Sequence, residues 1–321
     1  MIFYITANGL GNRLRTIGSL QDLAQKTGHK LCVIWTKEYD LNAGFSDLFE
    51  EQHDFFVWNL KVSKWFRNIL CHYFLYPRIS KLFRALVVNG CYIQSHSETE
   101  MVEDFKKHKL IFVRTCYEFT KKYSLDSFRF NGEVKSRSLV RKECYGIAAG
   151  KDLIGVHIRR GDHVVSSEYS SSKMFEDYIE NLWGKNPNKH FYIASDSVEE
   201  KENLKLKFGD SIIIQPVSSY ARDTKEGIVE SAVELYNLSC CGQIVGSFTS
   251  TFSEMAARLG HSTLKILVDE KKPPVQDWDC TRHRVPLVHL NKKEWAKYYF
   301  DYIPVVLGFK NMAHLCCNFV E

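Results

Sequence analysis

Two adjacent arginines follow an apolar run near the middle of the chain. Residues 155–162 read GVHIRRGD, in which GVHI is typical of a buried strand and Arg159 and Arg160 come directly after it. Ligands of open α/β sheets bind beyond the carboxyl ends of strands, where both side chains would emerge. Guanidinium groups match phosphate oxygens, so the pair predicts a diphosphate site. The alternative is a structural pairing with surface acids.

A second candidate anion site lies at residues 243–260, which read QIVGSFTSTFSEMAARLG. The pattern predicts a strand, a turn rich in Ser and Thr, and a helix that begins near Ser253. Backbone N–H groups at a helix N-terminus bind anions, and the helix dipole supports them. The alternative is an ordinary capped helix with Ser253 or Thr251 as N-cap and Glu254 in its first turn.

A glycine-rich turn follows the first predicted strand. Residues 9–15 read GLGNRLR, which matches half of a dinucleotide fingerprint, but Leu14 replaces its third glycine. This is weak evidence for NAD, and the chain has no GxxxxGK[ST] phosphate loop.

The elements that must position these residues alternate between strand and helix. The sequence predicts a βαβ unit at the start of the chain. Its strands are expected at 1–7 and 30–35, with an amphipathic helix that ends at Gly28 between them. Residues 36–150 are less regular, with short β-like runs at 90–95 and 109–115. Regular alternation returns after 151, with strands predicted at 152–158, 190–195, 211–216, 243–247 and 263–269, and helices at 197–209 and 226–241.

This alternation predicts two doubly wound α/β domains. We expect an N-terminal domain at 1–145 that forms the acceptor side, a nucleotide-binding domain at 146–290, and a helical tail at 291–321 that packs across the junction. The 321 residues are 45% hydrophobic and 25% charged, as in a folded globular protein.

The charge distribution favours a small anionic ligand. The net charge is +5, without the dense basic stripe of a dedicated nucleic-acid binder. Residues 61–90 carry six Lys or Arg and no acid among many aromatics. This block predicts an amphipathic helix pair or, as the alternative, a surface that contacts anionic lipid or an acceptor.

The cysteine pattern and the N-terminus favour the cytoplasm. Ten cysteines occur without a CxxC spacing suited to zinc or redox chemistry. The first residues lack the features of a secretory signal, and no apolar run reaches the roughly 18 residues that span a bilayer. We therefore expect free thiols and a cytoplasmic protein, with a peripheral position at a membrane as a variant of this expectation.

Three segments together resemble a known family. GLGN before a helix, HIRRGD after a strand, and ELYNLSCCGQIVGSFTSTFS resemble, in order, the motif regions of the α1,2-, α1,6- and protein O-fucosyltransferases and of the bacterial nodulation fucosyltransferases. The resemblance covers roughly half of the chain. It implies a GT-B fold, two Rossmann-like domains facing a cleft, with GDP-fucose as donor substrate, a carbohydrate acceptor and no separate cofactor.

The resemblance also implies roles for individual residues. Arg159 would contact the β-phosphate, and Arg160 would support the site and its loop. Further nucleotide contacts are implied for His157 and Glu234 at the guanine, for Ser247, Phe248, Ser250 and Thr251 at the phosphates, and for Asn12 from the first domain. The alternative for Glu234 is a solvated side chain beside Glu230.

The implied reaction is a metal-independent, inverting transfer of fucose to an acceptor hydroxyl. Charge that develops on the leaving phosphate would be stabilised by Arg159. Glu168 is a candidate for the general base, with a plain loop carboxylate as the alternative. Asp162 and His163 lie nearer to the arginines in the sequence. Asp277 and Asp279 form a DxD, the pattern that holds manganese in GT-A transferases, but it does not follow a central apolar strand.

Three other functions remain compatible with the sequence. The nearest is a GT-B glycosyltransferase for another nucleotide sugar, because arginines and serines identify a diphosphate rather than a base or a sugar. The second is a catalytically inactive glycan-binding protein of the same fold. The third is a nucleic-acid binder that uses residues 61–90.

Overall fold

The part of the chain that the structure describes folds around two five-stranded, all-parallel sheets. The computed structural model describes residues 1–61, 84–140, 153–161 and 163–272. The first sheet has the strand order β3-β2-β1-β5-β4 and the second has the order β10-β9-β6-β7-β8. Helices flank both sheets, so the predicted α/β class with two Rossmann-like, doubly wound domains is confirmed.

The first sheet is formed by short strands from the N-terminal part of the chain. Its strands are β1 (Ile2–Ile5), β2 (Leu31–Lys37), β3 (Phe56–Lys61), β4 (Leu86–Val88) and β5 (Ile111–Val113). Its helices are α1 (Leu10–Thr27), α2 (Gly90–Ser95), α3 (Glu98–Lys107) and α4 (Gly132–Arg137), with a 3-10 turn at Phe45–Asp47. The predicted βαβ unit is therefore present, and Gly28 ends α1 in the left-handed region at φ 69°.

The second sheet follows the predicted alternation closely. Its strands are β6 (Ile154–Ile158), β7 (Phe191–Ser195), β8 (Ile212–Ile214), β9 (Gln243–Ser247) and β10 (Thr263–Leu267). Its helices are α5 (Val164–Tyr169), α6 (Ser172–Lys185), α7 (Val198–Phe208), α8 (Lys225–Ser239) and α9 (Thr251–Gly260), with a 3-10 turn at Gly209–Ser211. β6 and β7 are buried along their whole length, as expected for strands covered on both faces.

Two predictions for residues 36–150 need correction or addition. Residues 90–95 were predicted as a β-like run and form α2 instead, because the Asn89 side chain accepts the Tyr92 N–H and caps a helix there. The strand β3 was not predicted. β5 lies where the run at 109–115 was expected.

Helices of the two sheets pack against each other. Buried side chains of the first sheet and of α8 and α9 belong to one continuous hydrophobic core. α4 packs on α8, where Arg137 pairs with Glu226 at 2.7 Å and with Glu230. Lys225 pairs with Asp47 at 2.9 Å across the same junction.

Several predictions fall outside the described residues. They concern the helical tail at 291–321, the DxD at 277–279, most of the basic block at 61–90, and the domain boundary at 145/146, which stays a prediction. Of the described helices, none combines the length and the apolar composition that crossing a bilayer requires.

Candidate active site

The two arginines lie at the point where the strand order of the second sheet reverses. β7 and β8 extend from one side of β6, and β9 and β10 extend from the other. Arg159 follows β6, and the Ser/Thr-rich turn follows β9, so both lie at the carboxyl ends that flank this switch point. This is the position where open α/β sheets bind ligands. The Arg159 N–H donates to Ser247 Oγ at 2.8 Å and ties the two strand ends together.

A carboxylate that was not predicted from the sequence organises the arginine loop. Asp196, the first residue after β7, accepts the Arg160 N–H at 2.8 Å and forms an ion pair with the Arg159 guanidinium. Gly161 has φ +43°, and a Cβ there would lie 2.7 Å from Asp196 Oδ2. The loop therefore needs glycine at this position. The sequence shows that Asp196 follows a predicted strand, but the position of that strand beside β6 comes from the sheet order.

The guanidinium group of Arg160 is hydrogen-bonded to other residues of the protein. Its Nε donates to Glu200 Oε1 at 2.6 Å, and its terminal nitrogens donate to Ser170 O and Ser172 Oγ, each at 3.0 Å. These hydrogen bonds together hold the guanidinium group in one orientation. Arg160 thus joins the loop to α5, α6 and α7. Glu200 was also missed by the sequence reasoning.

His157 lies beneath the first turn of α9. Its Nδ1 is 2.8 Å from Ser253 Oγ and 3.3 Å from Ser250 Oγ, and its ring packs on Phe252. Burial lowers the pKa of His157 to about 3, and the charge of Arg159 acts in the same direction. The imidazole is therefore neutral at physiological pH. With 5% of its surface exposed, it forms the floor under this helix terminus.

The predicted phosphate residues after β9 differ in exposure. Ser247 is fully buried, and its hydroxyl donates to His157 O as well as accepting from Arg159. The Phe248 N–H donates to Ser170 Oγ at 2.8 Å, and its ring stacks on Tyr169. Ser250 and Thr251 are half-buried at the start of α9. These two are thus the members of the set with polar surface at the helix terminus.

The start of α9 differs from the prediction. The N-cap is Ser250 rather than Ser253 or Thr251, and its side chain makes no capping hydrogen bond. Ser253 is turned inward to His157 and cannot cap. Thr249, directly before, has φ 57°, an uncommon conformation for a residue other than glycine. The first N–H groups of α9 are therefore not used by a side-chain cap.

The N-terminus of α1 meets the N-terminus of α9. A Cβ on Gly11 would lie 2.9 Å from Thr251 Oγ1 and 3.2 Å from the Phe252 nitrogen, so this contact requires glycine. Asn12, one residue on, is half-buried and its Oδ1 accepts from Arg15 at 3.1 Å. The positive dipole ends of α1, which flanks the first sheet, and of α9, which flanks the second, therefore lie next to each other.

Glu234 is buried, so the alternative prediction of a solvated side chain beside Glu230 is wrong. It is 6% exposed and forms an ion pair with Lys201, which also donates to the Tyr220 hydroxyl at 2.9 Å. Burial raises the pKa of Glu234 to about 7 despite the attraction of Lys201. Its carboxylate therefore already has a cationic partner inside the second domain.

Of the two candidate bases, Glu168 is the one that the structure describes. Glu168 is exposed near the end of α5, and its backbone oxygen accepts from Lys272 at 2.6 Å. Asp162 lies outside the described residues. Among the residues that are described, no group of three or more His, Cys, Asp or Glu could hold a metal ion.

A groove of about 1410 Å³ lies beside the start of α9, between α9 and the stretch of α1 from Arg15 to Gln25. Arg159 and Asn12 are not among the residues that line it. Thr249, Ser250 and Thr251 lie at one end, and Tyr117 and Tyr123 form part of its wall. Its remaining lining is largely polar and charged, with contributions from both domains. The groove is large enough for a ligand of several rings.

Solved structures share this fold. No protein-family model matches the chain, and no curated protein is similar in sequence. The α-1,6-fucosyltransferase NodZ, soaked with GDP-fucose, is 19% identical with a TM-score of 0.53, over 80% of this chain and 92% of that one. A mutant of FUT1 from Arabidopsis thaliana, in complex with GDP, is 19% identical with a TM-score of 0.53, over 85% and 71%.

A third structure shows the same likeness at lower identity. POFUT1 in complex with GDP-fucose is 11% identical with a TM-score of 0.52, over 83% of this chain and 98% of that one. Similarity at these identities establishes the architecture. The chain therefore has the two-domain α/β GT-B fold of the fucosyltransferases NodZ, FUT1 and POFUT1.

Proposed function

We propose that the protein is a glycosyltransferase that moves fucose from GDP-fucose to a hydroxyl group of a glycan or glycoconjugate. The observation that carries this proposal is the meeting of the Arg159 loop with the N-termini of α1 and α9 at the switch point. These groups suit a diphosphate. The solved structures that share the fold hold GDP or GDP-fucose.

In the proposed reaction an acceptor hydroxyl attacks the anomeric carbon of fucose, the bond from that carbon to the phosphate oxygen breaks, and GDP leaves with inversion. Negative charge grows on the β-phosphate oxygen. Arg159, half-buried and oriented by Asp196, is assigned to that oxygen. A fixed cation beside a helix N-terminus stabilises this charge more in the transition state than in the ground state.

The remaining residues divide between direct contact and support. Ser250, Thr251 and Asn12 are assigned to the nucleotide because they carry accessible polar groups at the helix termini. His157, Ser247, Phe248 and Arg160 act through the positions of α9 and the arginine loop. Glu168 is assigned as the general base, with Asp162 as the second candidate. No divalent ion is required in this scheme, and loss of activity in EDTA that manganese restores would overturn that part.

One observation favours a second candidate, a GT-B transferase for another nucleotide sugar. Guanine is recognised by a carboxylate that accepts from its ring N–H and amino group, and Glu234 is assigned to that role. Its ion pair with Lys201 must open or be shared for this contact to form. Base selectivity is therefore the part of the proposal that needs an independent test.

Two measurements test the function. Thermal shift with GDP, UDP, ADP and GDP-fucose should show the largest stabilisation with the guanine nucleotides, and a stronger effect of UDP or ADP would favour the second candidate. The protein is then incubated with GDP-fucose and an array of glycans, peptides and lipid-linked oligosaccharides, and products are analysed by mass spectrometry. Nucleotide binding without any fucosylated product would favour an inactive glycan-binding protein.

A further inference from the structure

Arg114 is the first residue after β5 of the first sheet, and its side chain has no partner. Its backbone N–H donates to Val88 O at 3.0 Å and continues the pairing of β5 with β4. The side chain is half-buried, and its Nη1 atom is buried without a hydrogen bond. In the part of the chain that the structure describes, the guanidinium group makes no hydrogen bond and no ion pair. Buried polar groups of this kind are exceptions that call for a physical reason.

Arg114 differs in this respect from the other arginines that are at least half-buried in the described chain. Each of those has a partner in the protein, and they are Arg13, Arg15, Arg137, Arg159, Arg160, Arg222 and Arg258. A guanidinium group that gives up water without gaining a partner costs free energy. Proteins tolerate such a cost where the group serves a ligand.

Arg114 lies at the same edge of the first sheet as the turn before α1. β5 pairs with β1 in parallel, so both strands end at that edge. The chain just after Arg114 is tied to the start of α1, because Arg15 donates to Cys116 O at 2.6 Å and to Asn12 Oδ1 at 3.1 Å. Asn12 is assigned to the nucleotide under the proposed function. The end of β5 is thus linked to the proposed donor site through a single side chain.

The Arg114 side chain lies on the face of the sheet away from α1. Tyr4 of β1 faces α1, where its hydroxyl contacts Thr16. Val113 is the partner of Tyr4 in the register of the sheet, so it faces α1 as well. Because successive side chains of a strand alternate, Arg114 points to the opposite face. It is therefore separated by the sheet from the N-terminus of α1, to which the donor phosphates are assigned.

The chemistry of the group identifies the ligand. A guanidinium fork binds the oxygens of a carboxylate or a phosphate through parallel hydrogen bonds. The phosphates of the donor are assigned to Arg159 and to the two helix N-termini, so an anion at Arg114 belongs to the other substrate. We propose that Arg114 binds a carboxylate or phosphate group of the acceptor, which makes the acceptor an acidic glycan. This inference rests on the proposed function.

The first test measures the binding of small sugars to the full chain with GDP at saturation, which fills the donor phosphate site. Glucuronate and glucose 6-phosphate carry the two anions, and glucose is the neutral match. Their Kd values are obtained by saturation-transfer NMR titration. At least one anionic sugar should bind roughly tenfold more tightly than glucose, as expected for hydrogen bonds between charged groups. The sugar that does so identifies the anion as a carboxylate or a phosphate.

Variants of Arg114 connect this preference to the side chain. Arg114→Met keeps much of the length and removes the charge, so the anionic sugar should lose its advantage over glucose while the Kd for GDP stays unchanged. Arg114→Lys keeps the charge without the planar fork and should retain part of the advantage.

The matched control is Arg129→Met, which removes the charge of an exposed arginine in the same domain. It should keep the parental preference for the anionic sugar.

The stability of the free protein separates a binding role of Arg114 from a structural one. Because the guanidinium group makes no bond to the described chain, its removal breaks no stabilising contact. The urea midpoint of Arg114→Met without ligands should therefore equal that of the parent or exceed it. An arginine that holds the fold together would give a lower midpoint when it is replaced.

Three outcomes would overturn the proposal. The first is a parent protein that binds neither anionic sugar more tightly than glucose, and the second is an Arg114→Met variant that keeps the preference. The third is an Arg114→Met variant with a lower urea midpoint, or with GDP binding weakened as much as that of the anionic sugar. Failure of the proposed function gives a different result, namely a parent that binds the anionic sugar through Arg114 but does not bind GDP.

Discussion

Arg159 is the residue on which the proposed chemistry most depends. We expect Arg159→Ala to lower kcat by about 10²–10³-fold, the usual effect of removing one donor to a developing oxyanion. Fucosyl transfer is measured through GDP release. Arg129→Ala, which removes an exposed arginine far along the chain from the loop, should leave turnover unchanged. An Arg159→Ala variant with parental kcat would contradict the assignment.

The base assignment makes a separate prediction at Glu168. If this carboxylate removes the acceptor proton, Glu168→Gln should lower kcat by roughly 10²–10⁴-fold. The KM for GDP-fucose should stay near that of the parent, because the residue is assigned to the acceptor side. The control Glu202→Gln changes another exposed glutamate, on α7. Full turnover by Glu168→Gln would move the role to Asp162 or to another group.

His157 predicts how stability depends on pH. Its pKa is lowered to about 3 in the folded protein, from 6.5 in the unfolded chain. Between these values the unfolded state binds the additional proton, so this contribution to stability is complete above pH 6.5 and is lost as the pH falls toward 3. In His157→Asn, the unfolding free energy should change less steeply over this range, by up to about 1.4 kcal/mol per pH unit.

Urea unfolding at a series of pH values measures this slope. His53→Asn removes an exposed histidine and provides the comparison. A change in overall stability of His157→Asn is expected and does not decide the question. Equal slopes for His157→Asn and the parent would show that His157 is not held neutral.

At the scale of elements, the contact between α1 and α9 predicts different effects for substitutions of Gly9 and Gly11. Gly11→Ala should force the helix N-termini apart, because its Cβ would lie 2.9 Å from Thr251 Oγ1. We expect weaker GDP binding and a loss of stability of roughly 1–3 kcal/mol. Gly9 has φ −72° and open space around its Cβ position, so Gly9→Ala should be tolerated.

Isothermal titration with GDP and urea unfolding compare these two variants directly. Similar affinities and stabilities for Gly11→Ala and Gly9→Ala would show that the close approach of α1 and α9 is not needed.

The elements were predictable where a single signal dominated. β6, β7 and β9 are continuous apolar runs next to turn residues, and all three were predicted. α2 was missed because Tyr92 and Ile93 favour strands, whereas the hydrogen bond from the Tyr92 N–H to Asn89 decides for a helix. At α2 the side-chain propensities favour a strand, whereas the N-cap favours a helix.

The site was predictable where a residue's position follows from its own segment of sequence. The arginine loop could be placed at a strand end from its own sequence. Its partners Asp196 and Glu200 could not, because they follow a different strand and the pairing depends on the order of strands in the sheet. Glu234 was misjudged in one alternative because helix spacing shows its neighbour Glu230 but not Lys201 on another helix.

At the scale of the whole molecule, Arg137 links α4 to the second sheet. Its partner Glu230 is 3% exposed, so Arg137→Ala leaves a buried carboxylate without its cation. We expect a loss of roughly 3 kcal/mol. Lys135→Ala breaks an ion pair with Glu50 in which both side chains are more than a third exposed, and should lower the stability much less.

Chemical denaturation of the two variants gives the comparison. Both substitutions lie on α4, which precedes β6 and the rest of the second sheet in the chain. A loss from Arg137→Ala no larger than that from Lys135→Ala would mean that this link contributes little to the union of the two halves.

The ion pairs of the arginine loop affect how fast an anion can be captured. Arg159 and Arg160 are paired with Asp196 and Glu200, so these four side chains together carry no net charge. A neutral cluster exerts little long-range attraction, so these four side chains should add little to the dependence of the GDP association rate on ionic strength. Binding then resembles ion exchange, in which a phosphate oxygen takes over part of the coordination that Asp196 gives to Arg159.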